Sequence, residues 1–114
     1  MADSIETLGK GDEETVGGEG TTTVKVGARN YRQRIDVIAY HNGVGPGGQH
    51  AAILLTMNGV RLGNPEDRNF DNYYLDLRRT LILEAGASAS FQADFTNSGA
   101  TTTLRDLIAT IRHI

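Results

Sequence analysis

Cysteine is absent from the 114 residues, so neither a disulfide framework nor a thiolate metal site can form. Tryptophan is absent as well, and four tyrosines with three phenylalanines leave few platforms for stacking on bases or sugars. A basic excess is also missing. The formal net charge is −3, whereas a nucleic-acid-binding domain is expected to be strongly basic. No apolar run approaches the ~18–20 residues needed to span a bilayer. The first residues show no basic stretch leading into an apolar one, the pattern of a secretory leader. The expectation is a protein without nucleic-acid or membrane partners, cytoplasmic unless packaged into a larger particle.

Chemistry-bearing motifs are equally scarce. The run HNGVGPGGQH (41–50) holds four glycines, but no lysine follows Gly48 as a phosphate-binding loop requires. Residues Gln49 to Met57 read as a strand, so the helix that a dinucleotide fingerprint needs after its glycines is missing too. If the run joins two strands of a hairpin, His41 and His50 approach each other across its base, two ligands where zinc needs three or four. A flexible connection is the expected role, and no metal site is assigned. The run NPEDRNFDN (64–72) places Asp67, Asn69 and Asp71 as a calcium loop would. Asn72 then replaces its glycine and Arg78 its final glutamate, so a polar turn opened by Asn64-Pro65 is expected. With no GxSxG elbow and no tuned acid–base pair in view, neither enzymatic activity nor a cofactor is expected.

What is present is a sharp change in composition. Residues 1–20 carry six acids against Lys10 alone, with five of the 14 glycines. Such a stretch buries too little apolar surface to offset the entropy of ordering it, and it reads as a flexible acidic arm. Residues 21–114 carry eight acids and ten bases, nine of them arginine.

That body alternates with period two. In ASASFQADF (87–95), Ala87, Ala89, Phe91, Ala93 and Phe95 share one face, the mark of a half-buried strand. TTTVKVGAR (21–29) turns Val24, Val26 and Ala28 inward, and YRQRIDVIAYH (31–41) turns Ile35, Val37 and Ala39 inward. AAILLTM (51–57) is apolar on both faces and suits a central strand. Asn58-Gly59 tolerates the positive φ values of a type I′ turn and predicts a hairpin. YYLDL (73–77) and RRTLILEA (78–85) read as two further strands. TTTLRDLIATIRHI ends the chain with a helix-like stripe, yet its β-branched residues favour a strand. The expected fold is all-β, an antiparallel β-sandwich or small barrel of about seven to eight strands over 21–114.

The solvent side of 31–41 reads Arg32, Arg34, Asp36, Ile38, Tyr40, charged at one end and apolar at the other. Arginine and tyrosine combine large contact area with directed hydrogen bonds, which suits protein interfaces. Arg29, Arg78 and Arg79 add guanidinium groups that clamp carboxylates bidentately. With Ile5, Leu8 and Val16 as apolar anchors along the arm, these residues form the expected partner-binding set.

The acidic Gly-rich arm, the Cys-free β body and the Thr/Ala/Ser-rich strands GASASFQADF and GATTTLRDLIATIRHI resemble small accessory proteins of tailed-bacteriophage virions, of the capsid decoration (cement) type. The resemblance covers the whole chain and rests on texture rather than on a motif. It implies a structural virion protein that docks on a capsid or tail lattice and stabilises it by its arm and loops, often as a homo-oligomeric trimer. The alternative is a carbohydrate- or receptor-binding β module, calcium-assisted through 64–72.

Overall fold

The computed structural model describes residues 5–9, 20–44, 50–63, 66–69, 72–97 and 101–114, with side chains over 20–43, 51–63, 74–96 and 105–114. Nine strands occur among the described residues: β1 Ile5–Gly9, β2 Gly20–Val26, β3 Gln33–Val44, β4 His50–Met57, β5 Val60–Arg61, β6 Glu66–Asn69, β7 Asn72–Leu83, β8 Ala89–Asn97 and β9 Thr101–His113. They form two antiparallel sheets with open edges, a sandwich rather than a closed barrel. One sheet runs β1-β9-β3-β7. The other runs β2-β8-β4-β5, with β6 on β4 as well.

Alternation places the core where the two sheets face each other. Ile35, Val37 and Ala39 of β3 meet Leu75 and Leu77 of β7 and Leu107, Ala109 and Ile111 of β9 in one layer. Val24, Val26, Ile53, Leu55, Phe91, Ala93 and Phe95 supply the opposing layer. The predicted inward faces of 24–26, 35–39 and 89–95 are all buried. Ala28, expected inward, lies past the end of β2 and is exposed. The C-terminal stretch is a strand. Its stripe divides between the faces, Leu107 and Ile111 in the core and Ile108 on the outer side.

Asn58 (φ 51°) and Gly59 (φ 81°) turn the β4–β5 hairpin as expected. Asn58 does more than tolerate the left-handed region. Its N–H donates to Ser90 O and its Oδ1 accepts from Ser90 N, both at 2.8 Å, which carries the β4–β8 pairing into the turn.

Other expectations are corrected. YYLDL and the RRTLIL of RRTLILEA belong to one continuous strand, β7, with Glu84 and Ala85 past its end; Arg79, at an inward position, interrupts the apolar alternation that would have revealed the join. The 64–72 stretch contains β6, paired with His50–Ile53, rather than a turn throughout. Asn64, Pro65 and Asp71 lie outside the described residues. β1 falls within the segment expected to be a flexible arm. Ile5–Gly9 pairs with Ile108–Arg112 at the edge of the sheet, and residues 10–19 lie outside the described residues. Backbone pairing along an open strand edge asks nothing of apolar side chains, and an argument from composition leaves it out.

The core and the turn each set a stability outcome. Phe91 is wholly buried, so Phe91→Ala lowers unfolding free energy by about 3–5 kcal/mol in denaturant titrations. Gly59→Val, with open space around it but the wrong φ, lowers it by more than ~1 kcal/mol through backbone strain alone.

Candidate docking face

β3 is hydrogen-bonded on both edges, so the residues of its outer face fall into rows with those of β7 and β9. The rows are Ile82–Arg34–Arg112, Thr80–Asp36–Thr110, Arg78–Ile38–Ile108 and Asp76–Tyr40–Asp106. Tyr74 extends the face beyond the last row and is 77% exposed. Arginines, aliphatic groups, an aromatic ring and carboxylates therefore lie on one side of the sheet.

Within it the polar groups are linked. Thr80 Oγ1 donates to Asp36 Oδ1 at 2.7 Å, and Arg34 Nε lies 3.4 Å from the same oxygen. Arg78 Nε donates to Asp76 Oδ2 at 3.2 Å. Each arginine keeps much of its surface in solvent, so these pairs orient the guanidinium groups more than they stabilise the fold. A shallow groove of about 280 Å³ runs between β3 and β7. Its lining includes Asp36, Ile38, Arg78, Thr80 and Thr110. Asp106 is the exception on this face, fully buried, with Oδ1 accepting from Leu107 N at 2.8 Å.

The expected partner-binding residues separate into groups. Arg34, Tyr40 and Arg78 come together on this face. Arg32 sits at the neighbouring corner, its Nε 3.0 Å from Glu84 Oε1. Arg29 is exposed in the connection after β2, its carbonyl accepting from Gly86 N. Arg79 is not on the face. Its Nε donates to Leu62 O at 3.1 Å, and its guanidinium fills the space a Cβ would take at Gly63, whose φ is +80°. It clamps the corner after β5. Ile5 and Leu8 pair through their backbones with Arg112 and Ala109, and Val16 lies outside the described residues. Sequence reasoning missed Tyr74, Asp76, Thr80, Ile108 and Arg112. The alternation of Leu75 and Leu77 against Tyr74, Asp76 and Arg78 was the available signal.

The two histidines of the glycine-rich run do not form the base of a hairpin. β3 and β4 belong to different sheets, so residues 45–49, outside the described set, connect sheet to sheet. His41 continues the inward parity of Ile35, Val37 and Ala39 and is fully buried, its ring edge-on to Phe95 at 5.4 Å. Arg105, its register partner on β9, passes 5.7 Å over the Phe95 ring and occupies the space a side chain at Gly20 would need. This cluster caps one end of the core. No group of three or more potential metal ligands occurs among the described residues.

Burial pulls the His41 imidazole down to about 4. A backbone hydrogen bond with Ala52 opposes the shift, and the Arg105 guanidinium adds to it. The unfolded chain, with a histidine near 6.5, takes up a proton that the folded chain refuses, so stability falls as pH drops from about 6.5 toward 4. The expected loss between pH 7 and pH 5 is about 2 kcal/mol. Denaturant unfolding at pH 7, 6 and 5 measures it. In His41→Gln, which has no imidazole to protonate, the dependence over this window flattens.

No family model matches the chain, and no curated protein matches it in sequence. Among solved structures, the dimeric latent PorU of Porphyromonas gingivalis is similar at 14% identity with a TM-score of 0.63, covering 97% of this chain and 13% of PorU. The mosquito-larvicidal Cry4Aa toxin of Bacillus thuringiensis is similar at 14% identity and a TM-score of 0.56, covering 95% of this chain and 22% of the toxin. A family 35 carbohydrate-binding module of Clostridium thermocellum, at 11% identity, covers 94% of this chain and 98% of the module with a TM-score of 0.44. The first two likenesses establish the sandwich fold. The chain spans a small fraction of the length of both proteins, in which the same architecture is one part of a larger molecule.

Proposed function

We propose that this chain is a non-catalytic recognition module that docks on a protein surface through the outer face of its four-stranded sheet. One observation carries the reading: register places Arg34, Tyr40 and Arg78 beside Ile38, Ile108 and Tyr74 on a single face. A sheet face that only kept the protein in solution would need no half-buried Ile38 and Tyr40 between its charges. A face combining apolar centre, aromatic ring and oriented guanidinium groups has the composition of a protein interface. In its finest form, which the resemblance to virion decoration proteins implies, the surface recognised is a capsid or tail lattice and the protein resides in the virion.

The groove supports a second reading. Its volume of about 280 Å³ and its lining, which combines Ile38 with Asp36, Arg78, Thr80 and Thr110, suit a saccharide unit, offering apolar contact together with hydrogen-bonding groups.

A photoreactive amino acid placed at Tyr74, and in a separate chain at Lys25 near the β2 edge of the other sheet, tests both. Under protein docking, the Tyr74 probe crosslinks to a protein and the Lys25 probe does not. Arg78→Glu then reduces the crosslink about tenfold or more, a loss of ~1.4 kcal/mol. Under saccharide binding, a glycan array with and without calcium retains the chain, and Arg78→Ala abolishes retention. Equal crosslinking from both positions, with no glycan retained, removes the assignment of this face.

A further inference from the structure

We infer that the occupant of this face is a second copy of the chain, packed face to face about a two-fold axis that lies in the plane of the sheet and runs across its strands. The inference rests on the docking-face reading and adds the identity of the partner. It starts from the order of charge along the rows. The row Ile82–Arg34–Arg112 carries two guanidinium groups, and the row Asp76–Tyr40–Asp106, six residues away along β3, presents the exposed carboxylate of Asp76, Asp106 being fully buried. Between them lie Thr80–Asp36–Thr110 and Arg78–Ile38–Ile108. The face is thus bipolar, with its aliphatic groups near the middle.

Two in-plane axes bring such a face against itself. An axis along the strands sets each row over its own copy, so Arg34 meets Arg34, and like charges in register are repulsive. An axis across the strands reverses the row order. Each strand then lies over its own copy, so Arg34 of one molecule lies over Tyr40 of the other and diagonally beside its exposed Asp76, and the reverse contact forms at the far end. The central rows interleave, setting Arg78 of one copy beside Asp36 of the other around Ile38 and Ile108. Charge order alone selects the second axis, and the contact is isologous, every pair formed twice. Tyr40 receives a guanidinium over its ring, a favourable partner for an aromatic face.

The patch is small. Six residues of rise and four strands bound roughly 20 by 20 Å, at or below the lower end of specific interfaces. Association is therefore weak and reversible, and because it depends on partly exposed charges it weakens as salt rises.

Sedimentation velocity of the full chain over a concentration series, at low and at physiological salt, tests the inference. The expected result is a monomer–dimer equilibrium that shifts toward monomer with salt. Arg34→Glu and Asp76→Lys each weaken dimerisation at least tenfold, since each sets like charges together twice. Mixing these two variants in equal amounts restores the dimer, because both contacts of the mixed pair then join opposite charges. Arg32→Glu, at the corner and off the rows, dimerises as the unaltered chain does. Thermal melts verify that each variant is folded. A chain that stays monomeric throughout, single variants that dimerise unchanged, or a mixture that fails to recover overturns the inference. Should the unaltered chain be monomeric while the Tyr74 probe still crosslinks to another protein, the second-copy inference falls and the docking face stands.

Discussion

Gln33–Val44 is paired along both of its edges, and this double register is the constraint on which the rest of the molecule depends. With β7 on one side and β9 on the other, no row can slip without exposing Ile35, Val37 and Ala39 and burying Arg34 and Asp36. The same register that closes the core therefore composes the outer face. Arg34, Tyr40 and Arg78 are neighbours because their inward alternates must be.

The inner face ends in polar groups rather than apolar ones. His41 and Arg105 follow the parity of the core strands and are carried into the sandwich at one end, where the Phe95 ring and the bare backbone of Gly20 receive them. At the other end Gln33 is buried with Nε2 donating to Gly27 O at 3.1 Å. Arg79 treats the Leu62–Gly63 corner the same way, satisfying a carbonyl and filling the space above a glycine. Such groups make the register more selective, since each has a partner only in one alignment.

Alternation made much of this legible in the sequence. FQADF and RIDVIAY announce both their strands and their inward faces, and Asn58-Gly59 announces its turn, because each signal lies within a few consecutive residues. The sandwich follows from their number. What sequence reasoning could not reach is set by partners distant along the chain. Arg79 looked like an interface residue, because only the Leu62 carbonyl, 17 positions away, gives it an inward role. The join between YYLDL and RRTLILEA was hidden by that same arginine. The crossing from β3 to β4 was invisible because a glycine-rich run reads alike within a sheet and between sheets. Half of the outer face of the four-stranded sheet was named from β3 and the start of RRTLILEA. The other half, on β7 and β9, needed the register.

The order of strands carries a consequence for synthesis. β9 comes after the other eight described strands in sequence, yet it lies inside its sheet, between β1 and β3. As the polypeptide emerges from the ribosome, β3 can pair with β7 alone, leaving one edge of Ile35–Ala39 without its neighbour until residue 113 is free of the exit tunnel. Completion of this sheet therefore waits for β9, the β3 edge staying unpaired on that side until then. Closure by long-range pairing also makes it slow among chains of this size.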